Sequence, residues 1–284
     1  MKIIDLISNP EYKYKKVISS LICHNLNINK EDLFKKYENE IEKKVYEKID
    51  QQYKDYQNNN KPLEYILGYV EFLGVKFYVN ENTLIPRPET EYMIQSINEY
   101  IQSNNKKFNI IDIGTGSGVL GISTIYHNIQ NIQQAIFTDI SEKALEVAQI
   151  NKNILIKNEN VKICKSNLLE KFIENIENYK NNENIIIGNL PYIPDNTFDN
   201  DVEDNVKLWE PRIAFVGGND GLNLYREMFE QIIKLDLDKF EFTMFLEMMT
   251  NQIEILKNEY GKYFDFEVMK TFHFNIKILK LKLL

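Results

Sequence analysis

The sequence predicts an α/β fold: a mostly parallel sheet with helices on both faces and an antiparallel C-terminal strand, preceded by a small N-terminal helical domain and a β-hairpin. Three observations predict it. From Lys107 onward, apolar runs at 110–113, 135–138, 161–164, 185–187 and 242–246 alternate with helical stretches. Strands that alternate with helices pair in parallel, because each crossover returns the chain to the same end of the sheet. Upstream, residues 69–79 hold two short aromatic and β-branched runs around Gly74, the pattern of a hairpin. Residues 1–67 carry apolar side chains at helical spacing.

Taken in order, Asn9-Pro10-Glu11 reads as a helix start, an N-cap followed by proline at the first helical position. Val17, Ile18, Leu21 and Ile22 follow on one face. Asn29 with Asp32 opens another helix, and Ile41, Val45, Ile49 and Tyr53 recur every four residues, with lysine and glutamate on the solvated side. The run from Gln57 to Pro62 ends this region. Later, the Asn- and Lys-rich stretch 173–184 reads as a polar insertion before the fourth strand. The runs 264–269 and 276–284 supply a terminal strand pair.

The 284 residues suffice for one large domain and a small one. With 43% hydrophobic and 27% charged residues the chain is an ordinary soluble one, and no stretch approaches the roughly 18 apolar residues of a membrane span. The N-terminus lacks the apolar core and cleavage site of a secretory signal, so a cytoplasmic location and no membrane partner are expected. A net charge of −8 argues against a protein that grips nucleic acid through phosphates, and no direct nucleic-acid partner is expected. Cys23 and Cys164, beside only His24, His127 and His273, make neither a disulfide framework nor a zinc site. No metal is expected, and the cysteines read as packing residues.

Two segments carry chemistry. Ile110-Ile111-Asp112-Ile113-Gly114-Thr115-Gly116-Ser117-Gly118 is a buried strand running into a glycine-rich turn, where backbone approaches a ligand closely. Asp139 ends the next strand, the usual place for a carboxylate that holds ribose hydroxyls. A dinucleotide motif counted from Gly114 lacks its third glycine, since Val119 stands there; counted from Gly116 it fits through Gly118 and Gly121, two residues late. Asp112 suits a cationic, phosphate-free ligand such as S-adenosylmethionine better. The turn alone leaves methyl donor, NAD and a purely structural role open.

The second segment is Gly188-Asn189-Leu190-Pro191-Tyr192, at the carboxyl end of the fourth strand, where open α/β sheets bind ligands. A planar amide or ring amino nitrogen is a poor nucleophile because its lone pair is delocalised. Two acceptors aimed at its N–H groups orient it and let it pyramidalise. Asn189 offers its side-chain carbonyl and Leu190 its backbone carbonyl, Pro191 stiffens the loop, and Tyr192 offers a flat wall for stacking. Catalysis by orientation needs no strong base. The plain alternative is a proline turn capping a strand.

With these residues in view the chain resembles the HemK/PrmC family, the glutamine-N5 methyltransferases of peptide chain release factors. Glu64-Tyr65-Ile66-Leu67-Gly68, Thr83-Leu84-Ile85-Pro86-Arg87-Pro88-Glu89-Thr90-Glu91, the 112–118 turn, 189–192, and Glu210-Pro211 with Gly217-Gly218-Asn219-Asp220-Gly221-Leu222 carry the resemblance over roughly residues 1–250. It implies a class I methyltransferase-like (Rossmann-like) fold, with residues 1–67 a substrate-binding helical domain, 68–84 the hairpin linker and 85–284 the methyltransferase domain. It implies S-adenosylmethionine as cofactor, held by Gly114, Thr115, Gly116, Ser117, Gly118, Asp139, Asn167, Leu168 and Asn189. It further implies that Arg87 and Glu89 shape the substrate pocket beside Asn189, Leu190, Pro191 and Tyr192. The expected partner is a release factor, methylated by a monomeric enzyme on the glutamine of a Gly-Gly-Gln loop.

Three departures stand out. Leu190 replaces the first proline of the family's Asn-Pro-Pro-Tyr, Asn167 stands where an aspartate is usual, and Lys270-Thr271-Phe272-His273-Phe274-Asn275 lacks the expected polar, arginine-bearing ending. The rival readings are an N6-adenine RNA or DNA methyltransferase, which also uses Asn-Leu-Pro-Tyr, and a cofactor-binding scaffold without turnover. Against the first stand the acidic charge and the Pro-Arg-Pro-Glu-Thr-Glu segment; against the second, an intact Asn189, Pro191 and Tyr192.

Overall fold

A computed structural model of the protein describes residues 1–104, 106–157, 159–235, 240–269, 271 and 275–284. The chain divides into two compact units, Met1–Tyr69 and Val70–Leu284. The first contains helices α1 (Ile3–Ser8), α2 (Lys15–Leu26), α3 (Lys43–Asn59) and α4 (Leu63–Leu67). Val17, Ile18, Leu21 and Ile22 of α2 pack with Ile41, Ile49 and Tyr53 in one apolar cluster. Tyr12 meets Tyr53 edge-on at 4.7 Å and donates its hydroxyl to Asp50 at 2.9 Å.

Two expected helix starts are corrected here. Asn9 closes α1 instead of opening a helix: its amide donates back to Asp5 and Leu6, and its Oδ1 accepts from the Glu11 amide at 3.0 Å. Asn with Pro also serves turns, and the turn wins because α2 begins only at Lys15. Asn29 caps no more than the 3-10 turn Lys30–Asp32.

Strands β1 (Tyr69–Phe72, of which all but Tyr69 belongs to the second unit) and β2 (Val75–Tyr78) come next, joined by Leu73 and Gly74 at φ 48° and 74°. Two positive φ values in a two-residue loop match the twist of a hairpin. Then follow α5 (Glu91–Ser103), β3 (Phe108–Ile113), α6 (Val119–Asn128), β4 (Ile132–Asp139), α7 (Glu142–Leu155), β5 (Val161–Lys165), α8 (Glu170–Glu174) and β6 (Glu183–Gly188). The chain continues through α9 (Asp195–Asp201), α10 (Asp204–Trp209), α11 (Asn223–Ile233), β7 (Phe242–Met249), α12 (Thr250–Tyr260), β8 (Phe264–Val268) and β9 (Ile276–Leu283).

Apart from the β1-β2 hairpin, the strands form one sheet in the order β5-β4-β3-β6-β7-β9-β8, parallel as far as β7, with β9 antiparallel to both β7 and β8. Alternation along the strands feeds two cores. Ile110, Ile185, Ile187 and Phe245 join the α5 and α6 residues Ile97 and Ile122 on one face. Ile111, Ile186, Met244 and Leu246 join Met228 and Phe229 of α11 on the other. The 173–184 stretch is more structured than a polar insertion: it contains the end of α8, the turn Ile176–Tyr179 and the start of β6. Its polar residues Glu183 and Asn184 are buried, Asn184 receiving Asn109 Nδ2 at 3.0 Å and Glu183 the Thr243 hydroxyl at 2.9 Å. Of the divergent ending noted above, Lys270, Phe272, His273 and Phe274 lie outside the described residues.

Phe245 is fully buried and packs on Tyr100 at 5.7 Å. Phe245→Ala is expected to lower unfolding free energy by about 3–5 kcal/mol. Urea denaturation followed by circular dichroism measures it; a loss below about 1 kcal/mol contradicts a close-packed face at β7.

Candidate active site

After β3 the chain turns to β4 on one side, and it returns to β6 on the other side of β3. Such a reversal opens a crevice at the carboxyl ends of the two central strands. Ile113 pairs with Gly188, so the Gly114–Gly118 turn and the Asn189 loop leave the sheet at the same level. They touch: a Cβ on Gly114 would stand 3.0 Å from Leu190 Cδ2. Gly114, Gly116 and Gly118 have φ of 63°, 55° and 80°, a region that L side chains rarely adopt.

Two carboxylates brace this turn. Asp112 Oδ2 accepts from Thr115 Oγ1 at 2.6 Å and from the Gly121 amide at 2.9 Å. Burial pushes the Asp112 carboxyl up from 3.8 to about 7, opposed by those two donors and reinforced by the charge of Asp139. Asp139 accepts from the Gly116 amide on Oδ2 and from the Ser141 amide on Oδ1, both at 2.9 Å. Burial raises this carboxyl too, against the same amides.

A cavity of about 280 Å³ opens at the crevice. Gly114, Thr115, Gly116 and Ser117 line it, as do Asp139, Asn167 and Leu168. Asn167 donates Nδ2 to Glu227 at 2.6 Å, which leaves its carbonyl as the acceptor end. Leu168 holds φ 49°, and its carbonyl accepts from Thr138 and Ser166 hydroxyls at 3.3 and 3.1 Å. Asn189, Leu190 and Pro191 line the same cavity, together with Thr90 and Arg87. Arg87 is held by Glu210, Nη2 to Oε1 at 2.5 Å, while Glu210 Oε2 accepts the Ile85 amide at 2.9 Å. The buried glutamate thus pins the Pro86-Arg87-Pro88 loop.

Three expected residues are placed differently. Gly118 caps α6, Glu89 sits half-buried in the turn Pro88–Thr90, and neither is among the cavity's lining residues. Tyr192 is not among them either: its hydroxyl donates to Glu247 Oε1 at 3.1 Å and its carbonyl accepts from Gln252 at 2.7 Å. A tyrosine next to a buried carboxylate satisfies that acceptor before it serves as a stacking wall. The Leu190 carbonyl already receives the Tyr225 hydroxyl at 3.1 Å, so one lone pair remains for a ligand.

Reading by sequence missed Glu247. It lies on β7, one residue beyond Leu246, which pairs with Gly188. Its Oε1 accepts from Asn189 Nδ2 at 2.9 Å and its Oε2 from Thr90 Oγ1 at 2.9 Å. Burial pushes its carboxyl up to about 7, against the donors Thr90, Tyr192 and Asn189. The signal was an acid inside an otherwise apolar strand, Met244-Phe245-Leu246-Glu247-Met248.

A family model of ribosomal protein L11 methyltransferase (PrmA) matches residues 87–206. The release factor glutamine methyltransferase of Mycoplasma mycoides subsp. mycoides SC is 34% identical over 95% of this chain and 98% of its own length. This chain belongs to the release factor glutamine methyltransferase family. The homologous enzyme of Clostridium acetobutylicum is 41% identical over 62% of this methyltransferase and 60% of its own length. Among solved structures, the human METTL16 catalytic domain in complex with the MAT2A 3'UTR hairpin 6 superposes with a TM-score of 0.55 at 11% identity, over 85% of this chain and 82% of that one. The METTL16 methyltransferase domain lacking its N-terminus gives 0.51 at 15% identity, over 74% and 88%. These two likenesses show the fold. No helix among the described residues is long and apolar enough to cross a membrane.

The residues around the turn fit the methyl donor S-adenosylmethionine. Asp139 lines the cavity beside it while Asp112 lies buried beneath it, so the acidic rim at Asp139 suits a cationic ligand better than a pyrophosphate. Arg87, the cationic side chain lining the cavity, is paired with Glu210. Asp112 Oδ1 is buried with no partner among the described residues.

Because folding raises the Asp112 pKa, the folded state binds this proton more tightly than the unfolded chain. Its stabilisation is full below pH 3.8 and is lost as pH rises to about 7. Asp112→Asn is therefore expected to reduce the fall in Tm between acidic and neutral pH in the ligand-free protein. An unchanged pH slope in thermal denaturation contradicts a buried, proton-holding Asp112.

Proposed function

We propose that this methyltransferase transfers the methyl group of S-adenosylmethionine to the side-chain amide nitrogen of the glutamine in the Gly-Gly-Gln loop of a release factor. One observation carries the reading: Asn189 and the glycine turn line a single cavity, with the Asn189 amide group already committed to Glu247. Its Oδ1 is then the end that accepts from the substrate NH2, with the remaining lone pair of the Leu190 carbonyl as second acceptor. Two acceptors on one NH2 draw the nitrogen out of conjugation and fix its direction of attack. Gly114 to Ser117 and Asp139 hold the cofactor, and Asn167 and Leu168 flank its adenine. Bound there, the cofactor supplies an electrophilic methyl group on sulfur. The nitrogen sheds a proton acidic enough for water to take, so no strong base is needed.

The release factor is also the partner, and the reaction takes place in the cytoplasm. A folded substrate needs contact area beyond one pocket, and the helical unit 1–69 supplies it. The named relatives favour glutamine over adenine as substrate. Incubation with labelled donor tests this directly: label is expected in purified release factor, and label confined to total RNA contradicts it.

Asn189→Ala is expected to lower kcat by about 100-fold or more, with cofactor affinity nearly unchanged. A calorimetric titration beside steady-state kinetics separates the two; equal losses in both contradict the role assigned to Asn189. Removing residues 1–60 is expected to impair methylation of the whole factor while the second unit still binds cofactor. Undiminished methylation contradicts the part given to the helical unit.

A further inference from the structure

Glu247 is 1% exposed, and three side chains surround its carboxylate as donors: Asn189 and Tyr192 on Oε1, Thr90 on Oε2. Asn189 Nδ2 also lies 3.4 Å from Thr90 Oγ1. The strand holding Glu247 is fixed to the Asn189 loop through Tyr225, whose hydroxyl serves the backbone carbonyls of both Glu247 and Leu190. An asparagine carboxamide keeps its shape when turned by half a revolution about its last bond, so packing alone does not choose between its oxygen and its NH2 group. The choice matters, because a substrate NH2 is oriented only by the oxygen.

We propose that Glu247 is a positioning residue that sets the hand of the Asn189 carboxamide, holding its NH2 group inward so that Oδ1 faces the substrate. This rests on the reading of Asn189 given above. Thr90 cannot enforce the hand, since a hydroxyl both donates and accepts. Tyr192 directs its proton to Glu247. A carboxylate only accepts, so it tolerates the NH2 end of Asn189 and rejects the oxygen. A proton on Oε2 would be donated in a hydrogen bond to Thr90 Oγ1 and leave Oε1 accepting, which preserves the hand.

The test uses substitutions that differ in acceptor capacity more than in volume. In Glu247→Gln the new carbonyl replaces Oε1 and the new NH2 group faces Thr90. Glu247→Met fills the space with no acceptor, and Glu247→Gln with Thr90→Val frees the glutamine to turn. Relative to wild type, kcat on the release factor is expected to fall about 10- to 100-fold in Glu247→Met and in the double variant, but less than about 5-fold in Glu247→Gln, with cofactor affinity within about 3-fold throughout. The two side-chain N–H resonances of Asn189, followed in isotope-labelled protein, are expected to stay distinct in wild type and Glu247→Gln and to shift or average in the other two. Full kcat in both acceptor-defective proteins, or Asn189 resonances indifferent to them, overturns the proposal. If Glu247→Met fails to fold, the double variant decides alone. If wild-type protein methylates no release factor, the reading of the substrate fails by itself, and the Asn189 resonances still decide the role of Glu247.

Discussion

The site depends on the register that sets Ile113 opposite Gly188 on neighbouring parallel strands. Parallel strands finish at the same edge, so the segments that follow them run side by side. Here those segments are a glycine turn and an asparagine loop, and the reversal of strand order between β3 and β6 leaves a crevice over them. A slip of one residue would carry Asn189 about 3.3 Å along the strand and send Ile185 and Ile187 to the wrong face. The two apolar clusters that fix the register therefore also fix the distance between cofactor turn and amide-binding loop.

The crevice has an energetic cost. Asp112 and Glu247 are carboxyls held out of water, each with a pKa pushed to about 7. Shifts of that size represent roughly 3–4 kcal/mol per group, comparable with the burial of about two core side chains each. The seven-strand sheet and the helix α11 packed on it offset this, with Phe108, Phe137 and Phe245 of the sheet and Phe229 of α11 all fully buried. What the protein gains is geometry: Asp112 ties the turn to the first turn of α6 through Gly121, and Glu247 ties the asparagine loop to β7. A Cβ at Gly121 would stand 2.3 Å from the Phe137 ring, so that first tie tolerates no side chain.

The features legible in the sequence are those that depend on neighbours along the chain. The five apolar runs, the hairpin around Gly74 and the glycine turn are local, and each lies where its pattern predicts. Asn9-Pro10 and Asn29 misled because the same residues serve caps and turns, and the choice is made by packing further along. Glu247 was not legible. It is 58 residues from Asn189, and a lone acid in an apolar strand does not name its partner. Tyr192 was read as a wall for the same reason: its hydroxyl answers to a residue that the sequence does not point to.

Two of the three departures from the family pattern find physical accounts. Leu190 contributes a backbone carbonyl, which any residue possesses, while its side chain packs against the glycine turn. Asn167 keeps an acceptor while Glu227 takes its amide group. The central claim, that one cavity brings a methyl donor to a glutamine amide, is tested most directly by mass spectrometry of a release factor co-produced with this protein. One added methyl group on the glutamine of its Gly-Gly-Gln loop, absent when Asn189→Ala is co-produced instead, is the expected result. An unmodified glutamine beside active, cofactor-binding protein contradicts the account.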